Sequence, residues 1–262
     1  NFRNLSKHRL GGPRMGGRGD DTLTEIQPRI VGGEESKQGD FPYFVDMLWC
    51  GGVLIAPEVV LSAAHCQSYV DQDVLISGYE WATESSGAIR ATVVDEVIHP
   101  QFDPRNLDND FYLHRLDSKV NLKSDIALRL NEDDSVPTSG QGLTVMGLGF
   151  TEEGGKRPVR LNDVEVQFIS NKDCNVILNG EISDNMFCAG VDGGGKEACN
   201  GGSGAPIIIR ENGVHTVVGL VSWGYGCAQP NAPGVYSRIS TAMEWIKEVV
   251  CDEWDVEANF LQ

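Results

Sequence analysis

The sequence predicts an all-β protein, a barrel or sandwich of short strands with one helix near its C-terminal end. Three observations lead there. Short apolar stretches recur from about residue 43 onward, turn-forming clusters separate them, and only one stretch has helical spacing. Many short strands with little helix must bury their apolar faces against one another, which leaves sheets that stack or close.

The strand candidates run through the chain in order: Val59-Val60-Leu61, Val74-Leu75-Ile76, Leu143-Thr144-Val145-Met146, Ile207-Ile208-Ile209 and Val217-Val218-Gly219-Leu220-Val221. Their length and β-branched content suit a pleated surface. Gly193-Gly194-Gly195 and Glu211-Asn212-Gly213 read as loops or hairpin turns, because glycine and asparagine accept positive φ. From Ser240 to Val250, Ala242, Trp245, Ile246 and Val249 recur at helical spacing behind Ser240 or Thr241 as a cap. No internal repeat is present.

The 262 residues suffice for one large domain or two small ones, and 40% apolar content suffices for a core. With 21 basic and 38 acidic residues the net charge is -17, which argues against a nucleic-acid partner. No apolar run approaches 18 residues, which argues against a membrane span. Residues 1–29 differ from the rest. They hold six bases and three acids, a charge of +3 against -20 for the remainder, with few apolar side chains. Such a segment buries too little to offset its ordering entropy and reads as a flexible leader. The start at Asn1 fits prior removal of a signal segment. Asn4-Leu5-Ser6 is the one glycosylation sequon, and seven cysteines are many for a cytosolic chain.

Three constellations carry chemistry. Leu61-Ser62-Ala63-Ala64-His65-Cys66 holds a histidine beside a covalent anchor; a lone histidine of this kind is more often structural. Cys199-Asn200-Gly201-Gly202-Ser203-Gly204-Ala205-Pro206 flanks a serine with glycines, which permit a tight turn and free backbone N–H groups for an oxyanion. Arg29-Ile30-Val31-Gly32-Gly33 puts a basic residue at the end of the leader, as a processing site would.

Together these residues resemble the chymotrypsin/trypsin-like serine proteases from Arg29 to about Cys251. The pieces RIVGG at 29–33, CGG at 50–52, LSAAHC at 61–66, a GxSG loop around Ser203, SWG at 222–224 and PGVY at 233–236 come in the family's order. The resemblance implies two six-stranded antiparallel β-barrels with a catalytic cleft between them and a C-terminal helix. It divides the chain into a leader (1–29), a protease domain (30–251) and a tail (252–262). His65 matches the general base and Ser203 the nucleophile, with the N–H groups of Gly201 and Ser203 as oxyanion hole. Ser222, Trp223, Gly224 and Gly234 match substrate-binding positions, and Glu197 matches the base of the specificity pocket. The third catalytic residue has two candidates, Asp110 and Asp125, the latter in an Asp-Ile-Ala-Leu run closer to the family's usual motif. Asp110 lies 45 residues after His65 and 37 before Gly147; Asp125 lies only 22 before it, too few for a crossing between barrels. Spacing therefore selects Asp110 and makes Asp125 a solvated acid. Family pairing of the cysteines gives Cys50–Cys66, Cys174–Cys188 and Cys199–Cys227, with Cys251 left over.

The expected protein is a secreted endopeptidase, made as a zymogen, cleaved between Arg29 and Ile30, and cutting after Arg or Lys. Its partners are peptide or protein substrates and proteinaceous inhibitors, and no cofactor or metal is expected; Glu80 and Glu84 do not make a convincing calcium loop. Two departures from the family stand out. Gly202 stands where the family has an aspartate that pairs with the new N-terminal ammonium, and Glu197 stands where trypsin has aspartate. Gly202 supports an alternative reading, a protease-like binding or inhibitory module with little hydrolysis. A storage β-protein would leave the three catalytic matches unaccounted for. Ala205 for glycine is expected to be mild.

Overall fold

The computed structural model describes residues 33–84, 87–122, 124–149, 158–191, 193–194, 202–225 and 232–257. They form two closed antiparallel barrels. The first runs β2 (Phe44–Met47), β3 (Cys50–Ala56), β4 (Val59–Ser62), β5 (Asp73–Ile76), β6 (Ile89–Ile98) and β7 (Tyr112–Leu116), closing in the order β2-β3-β4-β7-β6-β5. The second is built from β9 (Gly142–Gly147), β10 (Asn162–Ile169), β11 (Met186–Gly190), β12 (Pro206–Glu211), β13 (Val214–Trp223) and β14 (Gly234–Arg238). A short β1 (Glu34–Glu35) pairs with β10. Strand β8 (Ala127–Leu130), in the crossing between barrels, lies parallel to β13.

Each expected strand run lies in one of these elements. Period-two alternation is plain in β10, where Val164, Val166 and Phe168 face inward between exposed Glu165 and Gln167. The β12–β13 hairpin turns at Asn212 (φ 49°) and Gly213 (φ 79°), the two positive φ values that a type I′ turn needs. Phe44, Leu61, Phe111 and Leu113 are among the fully buried side chains, each stabilising by ~1.5–3 kcal/mol through burial. Disulfides join Cys50 to Cys66 and Cys174 to Cys188, closing loops of a size where a crosslink contributes ~3 kcal/mol. Cys199 and Cys227 lie outside the described residues.

The helices differ from the sequence expectation in three ways. A second helix, α1 (Asn171–Ile177), is present. Its N-cap Ser170 accepts the Asp173 amide and donates its hydroxyl to the Asp173 carboxylate at 2.6 Å. The C-terminal helix α2 spans Ile239–Lys247 and passes into a π-helical turn at Glu248–Glu253. It is not capped by Ser240 or Thr241. β14 runs straight into α2, so Arg238 occupies the cap position, and the Thr241 hydroxyl donates back to the Arg238 carbonyl at 2.9 Å. Packing also continues past Cys251. Trp254 and Val256 are buried, and the Trp254 indole donates to Asp95 on β6 at 3.1 Å. Among the described residues no helix is long and apolar enough to cross a membrane.

Candidate active site

His65 sits on a single 3-10 turn, Ala64–Cys66, directly after β4. The Cys66–Cys50 disulfide ties that turn back to β3. Asp110 precedes β7, the strand paired with β4, so the barrel's hydrogen bonding carries the two residues to the same end of the sheet. The Asp110 carboxylate is fully buried and accepts three hydrogen bonds. His65 Nδ1 donates to Oδ2 at 2.7 Å, the His65 amide donates to Oδ1 at 2.9 Å, and the Ser222 hydroxyl donates to Oδ2 at 2.6 Å. A carboxylate accepts only, so Nδ1 carries a proton, and in the neutral ring Nε2 is the nitrogen with the free lone pair. The His65 side chain keeps 23% of its surface exposed, whereas that of Asp110 is fully covered. Three donors offset the cost of burying the charge. Asp125 is exposed, ahead of β8, away from this arrangement.

Ser203 comes from the second barrel, on the turn entering β12. Its carbonyl accepts the Gly51 amide at 2.8 Å, a bond across the two barrels. Gly204 follows with φ 75° and lies so close to β3 and β4 that a Cβ there would sit 2.5 Å from the Gly51 carbonyl oxygen and against Ser62 Oγ. Only glycine permits that approach, and it brings Ser203 beside the segment that leads to His65. Ala205 is fully buried in the seam; a Cβ on Gly51 would meet its methyl at 2.9 Å and one on Gly147 at 3.7 Å. Glycines opposite thus leave room for the one methyl by which Ala205 departs from the family pattern. Gly202 is buried, and its carbonyl accepts the Ala205 amide at 3.0 Å.

The other expected site residues divide. Trp223 is half-buried at the end of β13, edge-on to Tyr225 with ring centroids 5.6 Å apart. Gly224 is exposed beside it, and Gly234 is buried opposite Ala189 at the start of β14. Ser222, matched to a substrate-binding position, is buried near the end of β13, and its hydroxyl also donates to Asp110. No local signal marks that role, because the pair is 112 residues apart. Arg29, Ile30, Glu197 and Gly201 lie outside the described residues. Glu80 and Glu84 are paired with Arg160 and Arg90, at 3.4 and 2.7 Å. Among the described residues no group of three His, Cys, Asp or Glu side chains could hold a metal ion.

The aspartate that precedes β7 is itself anchored to the second barrel. Two residues upstream, the Asp108 carboxylate accepts the Ser183 hydroxyl at 2.6 Å and the Asn185 amide at 3.2 Å. Ser183 and Asn185 belong to the segment between α1 and β11. This clamp fixes the approach of one barrel to the other within two residues of Asp110.

Two closed barrels, with a histidine–aspartate pair in one and a glycine-flanked serine in the other, packed at the seam beside the segment that leads to the histidine, define the architecture of a serine protease. The family model described as Trypsin matches residues 30–246, and the chain belongs to the trypsin family. It is 37% identical over 229 residues to Trypsin Blo t 3 of Blomia tropicalis, covering 83% of this chain and 85% of that protein. It is 33% identical over 238 residues to Trypsin-1 of Astacus astacus, covering 83% and 98%. It is 32% identical over 247 residues to Vitamin K-dependent protein C of Rattus norvegicus, covering 88% of this chain and 54% of that protein, about half its length.

Proposed function

We propose that the chain is a secreted serine endopeptidase, made as a zymogen that is cleaved after Arg29, and that it hydrolyses bonds following Arg or Lys. The observation that supports this most is the buried Asp110 carboxylate holding His65 in the tautomer a general base needs. In this reading Ser203 Oγ attacks the scissile carbonyl while its proton passes to His65 Nε2. Asp110, oriented by the Ser222 hydroxyl, stabilises the imidazolium, and the Gly201 and Ser203 N–H groups take the oxyanion. His65 then returns the proton to the leaving amine, and water repeats the cycle on the acyl-enzyme. Glu197 at the pocket base favours a cationic side chain, and two of the relatives bear the name trypsin. Lys is favoured over Arg, because glutamate is one methylene longer than aspartate and shortens the pocket.

Gly202 supports a second reading, a binding or inhibitory module with weak hydrolysis. Without a carboxylate at that position the ammonium of Ile30 lacks its family partner. Trypsin-treated protein profiled against a peptide library tests the first reading. The expected product begins at Ile30 and cuts after Lys and Arg; a body beginning elsewhere, or a profile led by large apolar residues, contradicts it.

A further inference from the structure

A second carboxylate in the first barrel, half-buried, collects donors from both segments that carry His65 and Asp110. Glu96 lies on β6 directly across from His114 on β7, with 10% of its side chain exposed. Its Oε2 accepts the Tyr69 amide at 3.0 Å and faces His114 Nδ1 at 3.2 Å, and its Oε1 accepts the Tyr112 hydroxyl at 2.6 Å. Ser68 and Tyr69 belong to the chain just past the Cys66 disulfide, and Tyr112 is two residues beyond Asp110. Tyr112 and His114 share the outer face of β7, and the 68–69 segment folds over that face to reach them. The rings of Tyr69 and Tyr112 lie against His114, with centroids 5.9 and 4.6 Å away. His114 is fully buried, and its Nε2 has no hydrogen-bond partner.

Stability alone does not explain this cluster. A half-buried charge and an orphaned ring nitrogen are costly, and apolar side chains would cover the outer face of β6 and β7 at lower cost. What the carboxylate adds is directed bonding to two chain segments at once. Burial alone would raise its pKa; hydrogen bonds from His114, Tyr112 and the Tyr69 amide outweigh that and hold it at about 2. It is therefore charged at neutral and mildly acidic pH.

We propose that Glu96 is a positioning residue for the His65–Asp110 pair, clamping the turn behind His65 onto the strand that follows Asp110. The proposal rests on the catalytic reading above. The His65 turn is then held on one side by Cys50 and Asp110 and on the other by Glu96. Without the clamp His65 shifts relative to Asp110 and to Ser203, and small displacements of a general base are costly in rate.

The test compares full-length cleaved wild type, Glu96→Gln and Tyr112→Phe by peptide turnover and by proton NMR. The His65 Nδ1 proton, in a short bond to a carboxylate, should resonate far downfield, and its loss in Asp110→Asn assigns it. In Glu96→Gln, kcat should fall ~10-fold with KM within about 2-fold, and the resonance should move upfield and exchange faster with water. Tyr112→Phe removes one donor and should shift both readouts in the same direction by less. Should Glu96→Gln fail to fold, Tyr112→Phe decides alone. An unchanged resonance and kcat in a folded variant, or a loss entirely in KM, overturns the proposal. If wild type hydrolyses nothing, that result counts against endopeptidase function, and the resonance still decides the role of Glu96.

Discussion

The two halves of the site are held in different ways. The His65 half, from the first barrel, is fixed by a disulfide, a buried carboxylate with three donors, and the Asp108 tie to the second barrel. All of these groups exist before any cleavage. Among the described residues, the Ser203 half is tied by main-chain bonds: Ser203 to Gly51, Gly204 to Val221, Ala205 to Gly202. In the family's design the missing charged tie comes from the ammonium that cleavage creates and the carboxylate beside the nucleophile. Position 202 supplies no carboxylate. On the proposed reading, the base is therefore built by folding, whereas the nucleophile and its oxyanion hole would depend on a contact for which position 202 offers no carboxylate.

The largest effects come from removing the shared chemistry. His65→Ala and Ser203→Ala should abolish nearly all peptide turnover with the fold intact by circular dichroism. Asp110→Asn should lower kcat by ~10⁴-fold through the wrong histidine tautomer, a magnitude carried over from trypsin. Asp125→Asn, at an exposed position, should change kcat little; a large loss there would break the assignment of Asp110.

Next in size is the repair of the weaker half. Gly202→Asp should raise the turnover of protein cleaved after Arg29 by ~10²-fold or more, as a buried ion pair shifts the population toward the ordered state. The same change should do nothing in uncleaved protein, where the ammonium does not exist. No gain after cleavage, with full wild-type activity, would mean that another group orders the pocket.

The smallest effects are two steps in stability with pH. His215, on β13, meets the Tyr43 hydroxyl at 2.7 Å. Burial first, then the nearby Arg210 charge, lower its pKa from 6.5 to about 4, against a weaker opposing pull from Asp40. Between those values the unfolded chain takes up the proton first. Stability is therefore present above pH 6.5, falls as pH drops toward 4, and then levels. His99, whose pKa burial also lowers, adds to this step. Glu96 gives a second step lower down: its stabilisation is present above 4.5 and lost as pH falls toward 2. Urea midpoints measured across pH should show both steps, with His215→Gln reducing the upper and Glu96→Gln the lower. An unaltered pH profile in either variant would remove that residue from the account.

The sequence revealed the two halves unequally for physical reasons. Strands and the Asn212-Gly213 turn were legible because their signals are local: β-branched runs, and residues that tolerate positive φ. The His65, Asp110 and Ser203 segments were legible through short motifs and spacing. Helix α1 was not, because its apolar Val176 and Ile177 are exposed and only Cys174 is buried, so no amphipathic period exists; the Ser170–Asp173 cap was its one local mark. Glu96 and the Asp108 clamp were not legible either. Their partners lie 16 to 77 residues away, and a lone acid in a strand or loop looks like a solvated one until the barrel closes.

The most direct measurement of the difference between the halves is the rate at which a fluorophosphonate labels Ser203. It should be compared in uncleaved protein, protein cleaved after Arg29, and cleaved Gly202→Asp, with the His65 Nδ1 proton resonance followed in the same samples. The account predicts one unchanged downfield resonance in all three, slow labelling of uncleaved protein, a modest gain in cleaved wild type, and much the fastest labelling in cleaved Gly202→Asp. Labelling of cleaved wild type as fast as that of cleaved Gly202→Asp, or a His65 resonance that appears only after cleavage, would contradict it.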